Sequence, residues 1–247
     1  MKTRIIILAT TILTFLVSSC LIKSLHPFYM EDNIEYRPEL IGTWMDQDSS
    51  IWKFSERSFS ESFMGRPKLD NSYKVLYRDP TGKEPDSWFL VTLFKLKNAF
   101  YLDFEPYVDE NIGDNMAAMH FVPTHSVARV EFFGTNNLAF FWYDEEWLSS
   151  LFEQNRVKIS HEVVSPGKSS STKSYVLTAS TEELQKFLLK YGEEINIFKM
   201  IERDKVLTGN DHEEIYKLLD KEINEKMKND KFSNNDLIYI NIRRIDE

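Results

Sequence analysis

Apolar and polar residues alternate with a period of two along most of this chain, the pattern of strands that bury one face. It starts at Leu40, Gly42 and Trp44 and resumes in Ile51-Trp52-Lys53-Phe54 after an Asp/Ser-rich turn. Residues 73–77 predict a third strand, ending at Asp79-Pro80-Thr81-Gly82. In the next, Trp88, Leu90, Thr92, Phe94 and Leu96 share one face, while Phe89, Val91 and Leu93 share the other. After Lys97-Asn98 the chain returns through residues 100–104, which predicts a hairpin. Further strands are expected at 118–122, 127–133, 138–143, 157–164, 175–178 and 237–245, with a turn at Gly134-Thr135-Asn136-Asn137.

Helical spacing is confined to three inserted segments, about 144–154, 181–191 and 212–228. The first carries Trp147, Leu148, Leu151 and Phe152 on one side. The second opens with Ser180 and Glu183, a capping box in which each side chain satisfies the other's backbone donor. The third is strongly charged around an apolar stripe of Ile215, Leu218, Leu219 and Ile223. Many short strands with few helices place the chain in a mainly β, α+β class, as an antiparallel barrel or barrel-like sheet.

The first residues follow a different rule. Lys2 and Arg4 precede an uncharged stretch, 5–17, which is too short for the roughly 20 residues a spanning helix needs. Val17-Ser18-Ser19-Cys20 follows it. This run resembles the lipobox of bacterial lipoprotein signals: a branched apolar residue, two small residues and the cysteine. The resemblance implies that residues 1–19 are removed, that the Cys20 thiol receives a diacylglyceryl group, and that the new amino terminus takes an acyl chain such as palmitate. Two or more chains anchor stably where one does not. The alternative is an ordinary secretory signal with a free cysteine. Cys20 is the only cysteine and has no disulfide partner, and a lone thiol in an oxidising compartment is a liability, which favours the thioether. Leu21 stands where some lipoproteins carry an inner-membrane retention aspartate, so the expected address is the bacterial cell envelope, on the outer membrane facing the periplasm.

Charge narrows the partners. Loss of Lys2 and Arg4 lowers the basic count from 30 to 28 against 39 acidic residues and moves the net charge from −9 to −11. Interspersed bases with an acidic excess disfavour nucleic acid and adhesion to anionic lipid, leaving acyl chains on Cys20 as the expected membrane contact. Residues 20–38 contain Pro27 and Pro38, which bias the residues before them to extended geometry, and keep no helical period. They read as a lipidated tether to a single domain over 39–247, with Leu25, Phe28 and Tyr29 as its apolar contacts.

Gly42-Thr43-Trp44 resembles the Gly-x-Trp opening of lipocalin-like and fatty-acid-binding-like barrels. Many such barrels end with a basic residue packed on that tryptophan. On the last strand Ile238, Ile240, Ile242 and Arg244 share a face, so Arg244 is the candidate for barrel closure on Trp44 and Arg243 points outward. Residues 25–29 and 40–44 also look like those of uncharacterised bacterial lipoproteins with such a domain, a likeness that implies no activity.

Candidate chemistry is sparse. His120, His125 and His161 have zinc-ligand side chains, but the first two are an odd number apart around Pro123 and face opposite sides of a regular strand, so no metal site is assigned. Asp103, Glu105, Asp109, Glu110 and Asp114 read as a solvated acidic loop without EF-hand spacing. Gly167-Lys168-Ser169 lacks the earlier glycine of a phosphate loop, and no nucleophile motif occurs, so no catalytic residue and no cofactor are expected. Three classes of function stay open. One is a structural or protein-interaction lipoprotein with a side-chain-filled barrel. Another is a carrier or sensor of a small apolar ligand lined by Trp88, Phe94, Phe100, Phe104, Phe140 and Trp142. The last is a hydrolytic or metal enzyme, the weakest because no convergent groups can be named.

Overall fold

The computed structural model describes residues 21–46, 48–57, 71–107, 120–133, 135–143, 145–164, 174–192 and 237–245. Strand β1 (Lys23–Ser24) is followed by two single-turn 3-10 helices, Glu31–Asn33 and Pro38–Leu40. Then come β2 (Gly42–Asp46), β3 (Ile51–Glu56), β4 (Ser72–Arg78), β5 (Ser87–Leu96), β6 (Ala99–Pro106), β7 (His125–Phe133) and β8 (Asn137–Tyr143). Helix α1 (Glu145–Glu153), β9 (His161–Val164), β10 (Ser174–Leu177), α2 (Thr181–Tyr191) and β11 (Leu237–Arg244) complete the order.

Strands β2 to β8 form an antiparallel meander in which each pairs with its sequence neighbour. β11 lies between β8 and β2, with Ile240 opposite Phe140 and Arg244 opposite Trp44. Pairing of β6 with β7, from Phe100↔Val130 to Phe104↔Ser126, is part of the same closed circuit of eight strands. The molecule is therefore mainly β, with a closed antiparallel barrel of the lipocalin-like kind expected from the alternation. Strand β1 extends the wall from β7 (Ser24↔His125) and is continued by β10, in parallel, and then β9.

Two apolar cores share one wall. Inside the barrel lie Trp44, Trp52, Phe54, Tyr73, Val91, Leu93, Leu102, Phe104, Val130, Phe140, Trp142 and Ile242. Outside it, Phe28, Phe94, Tyr101, Val127 and Tyr143 are covered by Trp147, Leu148 and Leu151 of α1 and by Leu184, Phe187, Leu188 and Tyr191 of α2. Strands β5 to β8 thus bury residues on both faces. The capping box forms as the sequence implies: Ser180 Oγ accepts from the Glu183 N–H at 3.4 Å and the Ser180 N–H donates to Glu183 Oε2 at 3.3 Å. Glu145, in the first turn of α1, is buried and accepts from the Tyr175 N–H, which joins that helix to β10.

The segment read as a tether is instead part of the folded body from Leu21 onward. Ile22 and Phe28 are fully buried, and residues 23–24 are strand-paired on both sides. The Phe28 N–H donates to Asp103 Oδ2 at 2.8 Å, and its carbonyl accepts from Gln185 Nε2 at 3.0 Å. Thr181 Oγ1 donates to the Pro27 carbonyl at 2.9 Å, and the Glu35 N–H to the Leu93 carbonyl at 2.8 Å. Single apolar residues and backbone bonds dock this strap, and neither leaves a periodic trace in sequence.

Of the expected strands, 118–122 is not strand over its described residues, 127–133 begins two residues earlier than the pattern implied, and 157–164 is shorter than it implied. Residues 120–124 are irregular, because Pro123 offers no ladder donor, and β7 starts at His125; residues 118–119 lie outside the described set. Only His161–Val164 of the expected 157–164 is paired. The expected helix at 212–228 lies outside the described residues.

Candidate functional site

Described residues seal the barrel end at which β2 begins and β11 finishes. Gly42 has φ 143°, a conformation that glycine readily takes, as the chain leaves the 3-10 helix Pro38–Leu40 and enters β2. This turn puts Leu40 into the barrel end, fully buried, with its carbonyl accepting from Trp44 Nε1 at 2.9 Å. The Arg244 guanidinium carbon lies 4.7 Å from the Trp44 ring centre, and its Nη2 donates to the Glu39 carbonyl. Arg243 is exposed. The cation thus covers the indole and bonds the helix beside it, while the Ile245 N–H donates to the Thr43 carbonyl at 2.8 Å.

Arg37 adds a second cation to this end. Its guanidinium carbon lies 4.2 Å from the Phe100 ring centre and 4.4 Å from that of Phe132. Tyr36 stacks on Tyr73 at 5.3 Å. The Tyr73 hydroxyl accepts from the Arg37 N–H at 2.7 Å and donates to the Arg37 carbonyl at 3.1 Å. Burial pushes the Tyr73 phenol well above its ordinary range, and burial also leads the smaller rise at Tyr36, with Glu56 adding to it.

At the opposite end, where β6 and β8 finish and β5 and β7 begin, Leu21, Tyr77 and Phe89 are partly buried against the interior cluster. Asp46 is buried here and fully engaged. Its Oδ1 accepts from the N–H groups of Asp48 at 3.0 Å and Ser50 at 2.8 Å, and its Oδ2 accepts from Trp52 Nε1 at 3.0 Å. That geometry fixes the β2–β3 turn and aims Trp52 across the barrel. The Trp52 ring centre lies 6.3 Å from Phe104 on β6 and 5.8 Å from Phe140 on β8, edge-on to both. Each of those strands is three strands away around the wall. Phe54 reaches Phe140 at 6.4 Å, and Phe104 meets Trp142 at 4.6 Å. The protein's own rings therefore meet across the lumen.

The six aromatic residues expected to line a cavity divide between the two faces of the wall. Phe104, Phe140 and Trp142 face inward, and Phe100 sits at the sealed end beneath Arg37. Trp88 and Phe94 do not line the interior, because the inward face of β5 is that of Phe89, Val91 and Leu93. Phe94 is buried in the outer core, stacked on Tyr101 at 5.4 Å; Trp88 is 40% exposed on the outside, with Lys74 Nζ 4.9 Å from its ring. Both large aromatics fitted either face of a strand buried on two sides, so alternation could not choose.

The histidines sit in separate settings. His125 is buried, its Nδ1 2.7 Å from Asp103 Oδ1. His161 is only partly buried; its Nδ1–H donates to the Ile159 carbonyl at 2.8 Å and its ring stacks on Phe152 at 3.9 Å. Asp103, expected in a solvated loop, is an outward-facing residue of β6 that the strap covers. A charged residue between Leu102 and Phe104 was the available signal. Leu40, read as the opening position of the first strand, is instead the buried last residue of the 3-10 helix Pro38–Leu40, and Arg37 left no comparable signal.

An eight-stranded meander closed between its first and last strands, with a tryptophan on the first covered by an arginine on the last, defines a lipocalin-like barrel. Comparison with protein-family models, curated proteins and solved structures finds no match to this chain. The class therefore rests on topology and on the Trp44–Arg244 contact.

Proposed function

We propose that this chain is a lipid-anchored lipoprotein of the bacterial cell envelope whose barrel serves as a rigid structural or protein-interaction module. The anchor is the Cys20 thioether, and the address is the periplasmic face of the outer membrane. The observation that carries the module reading is the contact of Trp52 with Phe104 and Phe140 across the lumen. An eight-stranded barrel is narrow enough for side chains to fill, and a carrier would have to displace these rings to admit a ligand. Tight packing of this kind favours shape constancy over capture.

Two experiments test the reading. Metabolic palmitate labelling should mark the wild-type chain and not Cys20→Ser, which should leave the membrane fraction; label retained by Cys20→Ser sinks the anchor. Native mass spectrometry of the domain starting at residue 21 should give the bare chain mass, with no thermal shift across a panel of fatty acids and isoprenoids. A co-purifying lipid would turn the assignment to a carrier.

A further inference from the structure

We propose that the barrel end opposite the arginine seal rests against the lipid surface, with Trp88, Phe121 and Val122 at headgroup level. The inference rests on the lipoprotein reading and adds an orientation to it. Leu21 already packs on the interior cluster, the Ile22 N–H donates to the Tyr143 carbonyl at 3.3 Å, and residues 23–24 are held between β7 and β10. Consecutive Cα atoms are about 3.8 Å apart, so acyl chains on Cys20 would start one residue from this packed position. The surface around Leu21 must be the one that meets the bilayer.

That surface belongs to the end where β8 finishes and β7 begins, and among the described residues its rim exposes more large apolar side chains than the other rim does. Phe121 and Val122, in the connection entering β7, are 48% and 64% exposed, and Trp88 stands at the second position of β5. The hairpin turns at the sealed end instead present Lys97, Asn98, Thr135 and Asn136 to solvent, although Ile245 is also exposed there. Exposed apolar side chains gathered at one end mark a contact surface, and aromatic side chains suit the membrane interface. Charge is not the attracting force. The β4–β5 turn at the same end carries Asp79, Glu84 and Asp86 against Arg78 and Lys83. The occupant that fits is the bilayer to which the anchor already commits the molecule.

The test uses the lipidated full chain in vesicles of phosphatidylethanolamine and phosphatidylglycerol. Cys20 is the only cysteine and its sulfur is consumed in the thioether, so an introduced thiol labels selectively. An environment-sensitive dye on Val122→Cys should be quenched several-fold more by nitroxide-labelled acyl chains than the same dye on Thr135→Cys. Equal or reversed quenching, on protein that floats with the vesicles and carries acyl mass at Cys20, overturns the orientation and leaves the anchor standing. Protein that neither floats nor carries that mass removes the lipoprotein reading, and the orientation with it.

Discussion

The hydroxyl of Tyr73, on the interior face of β4, holds both backbone groups of Arg37, accepting from the N–H at 2.7 Å and donating to the carbonyl at 3.1 Å. One barrel side chain thereby fastens the strap just before the 3-10 helix that seals the end. Tyr73→Phe leaves two partly buried backbone groups without this partner, at about 1–3 kcal/mol. Urea unfolding at neutral pH should show a lower midpoint with an unchanged slope, and an unchanged midpoint would refute the role.

The same tyrosine gives the stability a pH dependence. Burial holds the folded phenols of Tyr73 and Tyr143 above their unfolded value of about 10. A raised folded pKa means that the contribution is intact below the unfolded value and is lost as pH rises beyond it. Stability should therefore fall above about pH 10, and Tyr73→Phe should lose less between pH 9 and pH 11 than wild type does. Identical pH slopes for the two proteins would contradict this.

Barrel closure predicts an asymmetry between neighbouring arginines. Arg244 covers Trp44 and donates to the Glu39 carbonyl, whereas Arg243 is exposed. Losing the cation–π contact costs about 0.5–2 kcal/mol, and losing the hydrogen bond adds to it. Arg243→Ala should stay within about 0.5 kcal/mol of wild type, as surface substitutions usually do. Equal, small effects in denaturant titrations would remove the closure argument.

Which parts of this fold could be read in advance depended on whether one face of each strand met water. β3 alternates between Trp52 and Phe54 inside and an exposed Lys53, so its period was plain. β5 to β8 bury both faces, and Phe94 and Tyr101 serve a second core that alternation cannot distinguish from the first. The Gly-x-Trp opening and Arg244 were legible because each occupies a fixed position at one end of the strand order. The strap was not, because Phe28 is held by Asp103 and Gln185, residues 75 and 157 positions away in the chain.

That strap yields a local prediction. Asp103 accepts from the Phe28 N–H through one oxygen and meets His125 through the other. Asn at this position replaces one acceptor oxygen with an NH2, so the Phe28 N–H and the His125 ring keep both bonds only if the imidazole changes to the tautomer whose Nδ1 accepts. Otherwise one buried group goes unsatisfied at about 1–3 kcal/mol. Hydrogen exchange should accelerate in residues 22–35 of Asp103→Asn before the barrel strands respond, since strap release is a smaller opening than global unfolding. Uniform acceleration across the domain would show that the strap and the barrel unfold as one unit.

Gly192, at the end of α2, is required by a close approach rather than by its backbone angle, which is an ordinary φ −67°. A Cβ there would lie 2.5 Å from the Leu188 carbonyl oxygen and from Tyr101 Oη, and 2.9 Å from Tyr143 Oη. The Gly192 carbonyl in turn accepts from Arg129 Nη1 at 3.1 Å, so the helix end cannot lift from the wall without breaking that bond. Overpacking of this sort costs about 1–3 kcal/mol, and Gly192→Ala should lower the melting temperature accordingly. Because two of the three clashing atoms are phenolic oxygens, Gly192→Ala should cost less in a Tyr101→Phe background than alone, a coupling a double-mutant cycle reads directly. The Leu188 carbonyl clash survives that change, so rescue should be partial; additive effects would place the constraint in the backbone contact instead.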